Sequence, residues 1–107
     1  MAEQVVQTIG DLHESSLAAA KAFFDDHYDR TLELLGGENV KSLVIALPAA
    51  GPDHDDWRRT LARDLARAQT PKRVNVMGAS NPDAAQEMLT YLRNAPGVTG
   101  QYLAAHE

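Results

Sequence analysis

The side chains best suited to chemistry stand in one run, Asp53-His54-Asp55-Asp56, directly after the loop at residues 48–52. Carboxylates and imidazole can bind a divalent metal or act as acid and base. Consecutive side chains splay around a helix, and an acidic first turn also stabilises the helix dipole. We therefore expect Asp53 to be a helix N-cap, with no metal site. The loop follows the end of a strand, where open α/β sheets bind ligands, so the candidate ligand residues are Pro48, Asp53 and His54.

Three arginines, Arg59, Arg63 and Arg67, repeat every four residues after this run. The spacing places them on one helical face. An anion or partner site is one interpretation. The simpler prediction is a solvated face on which Asp55 pairs with Arg59, an arrangement that contributes about 0.3–0.5 kcal/mol.

Length and composition indicate one ordinary globular domain at residues 1–107, with 44% hydrophobic and 23% charged residues. The net charge of −5 and the lack of a basic tract argue against nucleic-acid binding. The chain has no cysteine, which excludes thiolate chemistry. No apolar run reaches membrane-spanning length. We expect a soluble, cytoplasmic protein without membrane contact.

The elements that position these residues alternate between strands and helices. Apolar runs bounded by glycine and proline predict strands at residues 5–9, 43–47, 74–77 and 101–105. Helices are expected at residues 12–35, 54–68 and 82–94. The first is capped by Asp11 and ended by left-handed glycine at Gly36-Gly37. The last is capped by Ser80 or Asn81. The order β-α-β-α-β-α-β predicts a small Rossmann-like α/β domain with a four-stranded, mainly parallel sheet.

The strand at residues 43–47 has no polar alternation, as in strands that are buried on both faces. Right-handed crossovers between sequential strands place all three helices on one face. The opposite face then needs the third helix, the N-terminal segment or a second copy of the chain as cover.

The first helix carries two apolar stripes, which predict two packing surfaces. One stripe faces the sheet: Leu17, Phe24, Tyr28 and Leu35. The other is the candidate interface: Leu12, Phe23 and Leu34. A symmetric homodimer follows, since most soluble homo-oligomers close with two-fold symmetry.

Four short motifs occur in order: Leu61-Ala62-Arg63-Asp64-Leu65, Arg73-Val74-Asn75, Tyr91-Leu92 and Val98-Thr99-Gly100-Gln101. The series resembles the C-terminal half of the short-chain dehydrogenase/reductase family, in which an L-A-x-E-L helix leads into an R-V-N strand and a later helix precedes V-T-G-Q. The resemblance implies that the four strands match the family's fourth to seventh. It also implies a truncated domain without the first three strands.

The residues that the family uses for chemistry are not found at the matching positions. Pro48 and Ala49 stand where the family has its serine, while Leu47 and Gly51 stand near its tyrosine and lysine. The helix at residues 12–35 contains no asparagine, and the chain has no G-x-G-x-x-G turn. The resemblance therefore implies no catalysis and neither NAD nor NADP as cofactor.

These observations favour a non-catalytic domain that acts in interaction or assembly. In the family this half supplies subunit contacts through the matching helices. A homodimer is the expected assembly, and pairing with a full-length dehydrogenase is another possible partnership. The alternative function is a small-ligand binder or minimal enzyme that uses the loop and helix start at residues 48–56.

Overall fold

A computed structural model describes residues 3–104 and shows one parallel sheet with the strand order β1-β2-β3-β4. All three strand pairs are parallel, and the predicted α/β class is confirmed. Residue 105, the predicted end of the last strand, lies outside the described residues. The strands are β1 (Glu3–Thr8), β2 (Val40–Pro48), β3 (Arg73–Ala79) and β4 (Tyr102–Ala104).

The connections between the strands contain four α-helices and one 3₁₀ turn. The helices are α1 (Ser16–Asp26), α2 (Tyr28–Leu35), α3 (Asp55–Gln69) and α4 (Pro82–Arg93), and the 3₁₀ turn spans Pro52–His54. The prediction of one continuous helix at residues 12–35 is wrong, because the helix is interrupted at His27. The His27 carbonyl accepts the Thr31 hydroxyl and the Gln7 amide, each at 3.1 Å. Gln7 lies on β1, so helical periodicity alone could not reveal the break.

The helix caps differ in part from those predicted. Ser15, not Asp11, caps α1 by accepting the Ala18 N–H at 3.3 Å. Asp53 lies inside the 3₁₀ turn, and α3 begins without a side-chain cap. The Asn81 cap is confirmed, since its side chain accepts the Ala84 N–H at 2.8 Å.

The end of α2 at Leu35 agrees with the prediction, but its cause does not. Gly36 has a φ of −76°, which is right-handed helical geometry. Among the described residues, Gly100 alone has a positive φ. The helix therefore ends without the left-handed glycine that was expected.

Helices cover both faces of the sheet. The first face packs against α1, α2 and α3 through Leu43, Ile45, Leu47, Val74 and Val76. The second packs against α4 through Val44, Ala46, Met77, Ala79 and Leu103. The alternation follows from the two-residue period of a strand. The prediction that all three helices share one face is wrong, and the third predicted helix covers the second face.

The two apolar stripes of the first helical region are also assigned differently. Phe23 is 0% exposed, and Leu12 and Leu34 pack half-buried against the same core. Leu17 is 85% exposed and Phe24 is 49% exposed. The break at His27 separates positions that a continuous helix would align. Phe23 therefore packs within its own chain and offers no surface to a second copy.

The arginine of the R-V-N motif joins the start of β3 to the end of α4. Arg73 Nη1 donates to the carbonyls of Leu92 at 3.3 Å and Ala95 at 3.1 Å. The carbonyls at a helix end have no partner within the helix, and a cation there opposes the negative end of the dipole. Arg73 therefore holds α4 in place against the sheet.

The asparagine of the same motif joins β3 to the segment before β4. Asn75 is buried, donates to the Val98 carbonyl at 3.1 Å and accepts the Gln101 N–H at 3.1 Å. Thr99 Oγ1 accepts the Val74 N–H at 3.0 Å. We call Arg73, Asn75 and Thr99 the β3 latch. The family motifs here form structure, since their polar atoms bond to backbone groups.

Candidate functional site

A polar pocket of about 280 Å³ lies at the carboxyl ends of β1 and β2. Its lining comprises residues 10–14 and 48–51 together with Asp53, His54 and Arg58. We call it the edge pocket. The structure thus brings together the three candidate ligand residues, Pro48, Asp53 and His54, where parallel sheets commonly bind ligands.

Both ring nitrogens of the buried His54 are engaged. Nδ1 accepts from the Trp57 indole N–H at 3.2 Å, and Nε2 lies 2.7 Å from the Glu14 carbonyl oxygen. Because indole can only donate, we assign the proton to Nε2, which donates to Glu14. His54 therefore ties α3 to the segment before α1. Within residues 3–104, no group of three or more His, Cys, Asp or Glu side chains could hold a metal.

The floor of the edge pocket contains Arg58, which is 0% exposed. Its Nη1 donates to the Pro48 carbonyl at 2.9 Å and to the Tyr102 hydroxyl at 3.1 Å. The guanidinium carbon lies 5.5 Å from the Trp57 ring centroid and 5.6 Å from that of Tyr102. Cation–π contacts of this kind stabilise a desolvated guanidinium. These contacts fix the side chain between α3 and the end of the sheet.

The remaining edge of the Arg58 guanidinium is unpaired. Nε and Nη2 are buried and have no hydrogen-bond partner among the described residues. Buried arginines are normally paired with an anion, since an uncompensated buried charge is costly. Sequence reasoning missed Arg58 because it followed the exposed arginine repeat. The sequence did contain a signal, because Arg58 stands three residues before Leu61 and seven before Leu65. This spacing places its charge on the buried, apolar face of α3.

A second cavity, of about 610 Å³, is an apolar groove between the first helical pair and α3. Six apolar side chains line it: Phe24, Tyr28, Trp57, Leu61, Leu65 and Ala68. We call it the helix groove. Phe24 is 49% exposed, and its ring lies 5.3 Å from that of Tyr28. An accessible aromatic pair in such a groove is typical of interaction surfaces.

Charged residues of α3 stand along the helix groove and beside it. Asp55 and Asp56 occupy the first turn, and Arg67 occupies the last. Arg59 lies 3.5 Å from Asp55 and 3.6 Å from Asp56, so the predicted Asp55–Arg59 pair is confirmed. Arg67 lies 3.9 Å from Asp64, and both side chains are exposed. The charged side chains that line the groove itself are thus the acids Asp56 and Asp64, and each has an arginine of α3 beside it.

A parallel four-stranded sheet with helices on both faces defines a Rossmann-like α/β domain. The chain belongs to the short chain dehydrogenase-like protein family, whose model matches residues 7–105. The resemblance inferred from the motifs is therefore confirmed. A search of curated proteins and a search of solved structures found no match. Within residues 3–104, no helix is long and apolar enough to cross a membrane.

The residues at the carboxyl edge do not fit a nicotinamide dinucleotide, the cofactor of the short-chain dehydrogenase/reductase family. A pyrophosphate needs a cradle of backbone N–H groups at a glycine-rich turn. The loop after β1 instead follows Gly10 with the exposed carboxylates of Asp11 and Glu14. Leu47, near the family's tyrosine position, points into the core. Gly51, near the lysine position, has no side chain.

Proposed function

We propose that this chain is a non-catalytic short-chain-dehydrogenase-like domain whose role is assembly as a homodimer through the helix groove. The observation that carries the proposal is the exposed apolar lining of that groove, with Phe24 at its edge. A cleft of about 610 Å³ is large enough to take aromatic and aliphatic side chains from a partner. The family resemblance supports the same surface, because it implies subunit contacts through the helices that form the groove.

The charges along α3 favour a second copy as the occupant. Asp56, Thr60, Arg63 and Arg67 follow one another at spacings of three or four residues and form one stripe beside the groove. A two-fold axis crossing α3 between Thr60 and Arg63 sets Asp56 of one protomer opposite Arg67 of the partner subunit. The two copies of α3 then run antiparallel, and their contact contains two Asp56–Arg67 pairs of opposite charge. Charge complementarity of this kind selects partners more than it adds affinity.

Sedimentation velocity over a range of concentrations tests the dimer. We expect wild-type protein to associate and Phe24→Asp to weaken association by about thirtyfold or more, the effect of a hot-spot residue. Leu17→Asp is the matched control, because Leu17 is an exposed apolar residue of α1 outside the groove. Phe23→Asp cannot serve, since it would place a charge in the core.

A charge exchange tests the orientation. Arg67→Asp should weaken the dimer, and so should Asp56→Arg, because each variant sets like charges face to face. Mixing the two variants should restore association as a heterodimer, detected by mass tags on one component. The control pair is Arg93→Asp with Asp83→Arg on α4, away from the groove, which should leave association unchanged.

Two outcomes would contradict the proposed homodimer through the helix groove. One is a folded wild-type monomer at tens of micromolar, which would leave a full-length dehydrogenase as the partner to test at the same groove. The other is dissociation by Leu17→Asp but not by Phe24→Asp, which would place the contact elsewhere.

A further inference from the structure

The geometry points to the edge pocket as a binding site for a small zwitterion of the α-amino-acid class, with the ligand carboxylate on Arg58. This inference goes beyond the assembly role. The edge pocket and the helix groove share no lining residue. Either site can therefore fail its test without affecting the other.

The unpaired edge of Arg58 identifies the ligand's anionic group. Nη1 is already used by Pro48 and Tyr102, whereas the adjacent Nε and Nη2 have no partner in the described chain. Nε–H and one Nη2–H point in parallel along one side of the guanidinium. That pair matches the two oxygens of a carboxylate in a bidentate bond. A lysine could not offer this geometry.

Burial makes the unpaired edge significant. Arg58 has no exposed surface, so water does not compensate its free N–H groups. A carboxylate bound there would neutralise this buried charge. No acidic side chain among residues 3–104 forms an ion pair with Arg58.

The rim of the pocket identifies the cationic group. Asp11, Glu14 and Asp53 are exposed and line the same pocket. Three carboxylates at the entrance repel a phosphate dianion and attract an ammonium group. A ligand that carries both a carboxylate and an ammonium group fits the buried cation and the acidic rim together.

The size of the pocket restricts the ligand further. A volume of about 280 Å³ lies at the small end of the range of ligand pockets, about 300–1,000 Å³. This suits a small amino acid better than a nucleotide. The exposed residues at 49–51, Ala-Ala-Gly, line the same pocket. Because they bury little side-chain surface, we expect this loop to shift when a carboxylate binds the buried guanidinium.

The test titrates the full chain with a panel of small L-amino acids, glycine, alanine, serine and threonine, followed by calorimetry and NMR. We expect at least one to bind saturably at millimolar concentration or below and to shift the Arg58 Nε–H resonance. Acetate and propionate, which lack the ammonium group, and methylamine and ethylamine, which lack the carboxylate, should bind about tenfold more weakly or worse. Inorganic phosphate should not compete.

Two variants assign the roles. Arg58→Met should abolish binding. Asp53→Asn, at an exposed rim position that tolerates change, should weaken amino-acid binding by about threefold or more and leave the weak propionate binding unaltered. Asp83→Asn, an exposed acid of α4, is the matched control. The inference is overturned if no amino acid binds, if propionate or phosphate binds as tightly as the amino acid, or if binding survives Arg58→Met.

Discussion

The two ends of β3 differ in how completely their polar side chains are hydrogen-bonded. At its beginning, Arg73 and Asn75 form the β3 latch, in which each named donor meets a backbone carbonyl. At its end, beside Gly78, Arg58 keeps two donors without a partner. Both regions contain an arginine that bonds to a backbone carbonyl, so residue type does not explain the difference.

The difference shows how a structural polar cluster can be told from a candidate ligand site. A buried donor whose partners are all backbone groups is complete, and its role is to fix the chain. A buried charged donor without a partner is costly unless something else compensates it. The β3 latch is therefore part of the fold, and the edge pocket is the part of the sheet that suits a small ligand.

The largest effect is expected from breaking the latch at Asn75. Asn75→Leu removes the side-chain amide that bonds to the Val98 carbonyl and to the Gln101 N–H. Two backbone groups are then left unsatisfied. Each costs about 1–3 kcal/mol of stability. Urea denaturation measures the loss. Gln101→Ala is the control, because its side chain is exposed and its backbone N–H is retained. A loss below about 0.5 kcal/mol for Asn75→Leu would mean that the latch contributes no stability.

Replacing Arg73 and Arg58 by the same residue should change the free energy of unfolding by different amounts. Arg73→Met loses charge-assisted bonds to Leu92 and Ala95, which are worth about 1.5–3 kcal/mol. Arg58→Met also removes hydrogen bonds but relieves an uncompensated buried charge, and such replacements are often neutral or stabilising. We expect Arg58→Met to lie within about 1 kcal/mol of wild type. Thermal and urea unfolding should rank the two variants in this order. The reverse order would show that Arg58 is well compensated without a ligand.

The order of elements and the family were predictable because they depend on local patterns. Strands at residues 43–47 and 74–77 are short apolar runs, and two of the four motifs, Arg73-Val74-Asn75 and Val98-Thr99-Gly100-Gln101, contain the residues of the β3 latch. The face covered by α4 was not predictable from the right-handed crossover rule. The four strands lie in the sheet in chain order, but α4 packs on the face opposite to α1, α2 and α3. The β3–α4–β4 connection therefore has the opposite hand to the connections from β1 to β2 and from β2 to β3.

The candidate site was only partly predictable, and the reason is again physical. Pro48, Asp53 and His54 were found because they follow a strand end, and the structure places all three in the edge pocket. Arg58 was missed because its significance depends on burial by Tyr102, 44 residues away along the chain. The helix break at His27 was missed for the same reason, since it depends on contacts made across the fold.

A smaller effect distinguishes a true cap from a predicted one. Asn81→Ala should cost about 0.5–2 kcal/mol, since its side chain accepts the Ala84 N–H. Asp53→Ala should change stability by no more than about 0.5 kcal/mol, because Asp53 is exposed and caps no helix. Urea denaturation of both variants makes the comparison. A cost near 1 kcal/mol for Asp53→Ala would restore the capping interpretation.

A substitution at Gly78 should change stability only modestly but have the sharpest consequence for the edge pocket. A Cβ there would lie 2.8 Å from Arg58 Nη1 and 2.9 Å from the Tyr102 hydroxyl. The close atoms are the far ends of two side chains that can shift, so we expect Gly78→Ala to fold with a loss of about 1 kcal/mol, the low end of the cost of overpacking. The guanidinium would be displaced from Pro48 and its free edge turned away. Amino-acid binding and the Arg58 Nε–H resonance should therefore both change. Gly97→Ala is the control, because a Cβ there meets nothing within 4 Å. If Gly78→Ala keeps wild-type affinity and an unchanged Arg58 resonance, the position of the guanidinium does not determine binding, and the two ends of β3 differ in hydrogen bonding but not in function.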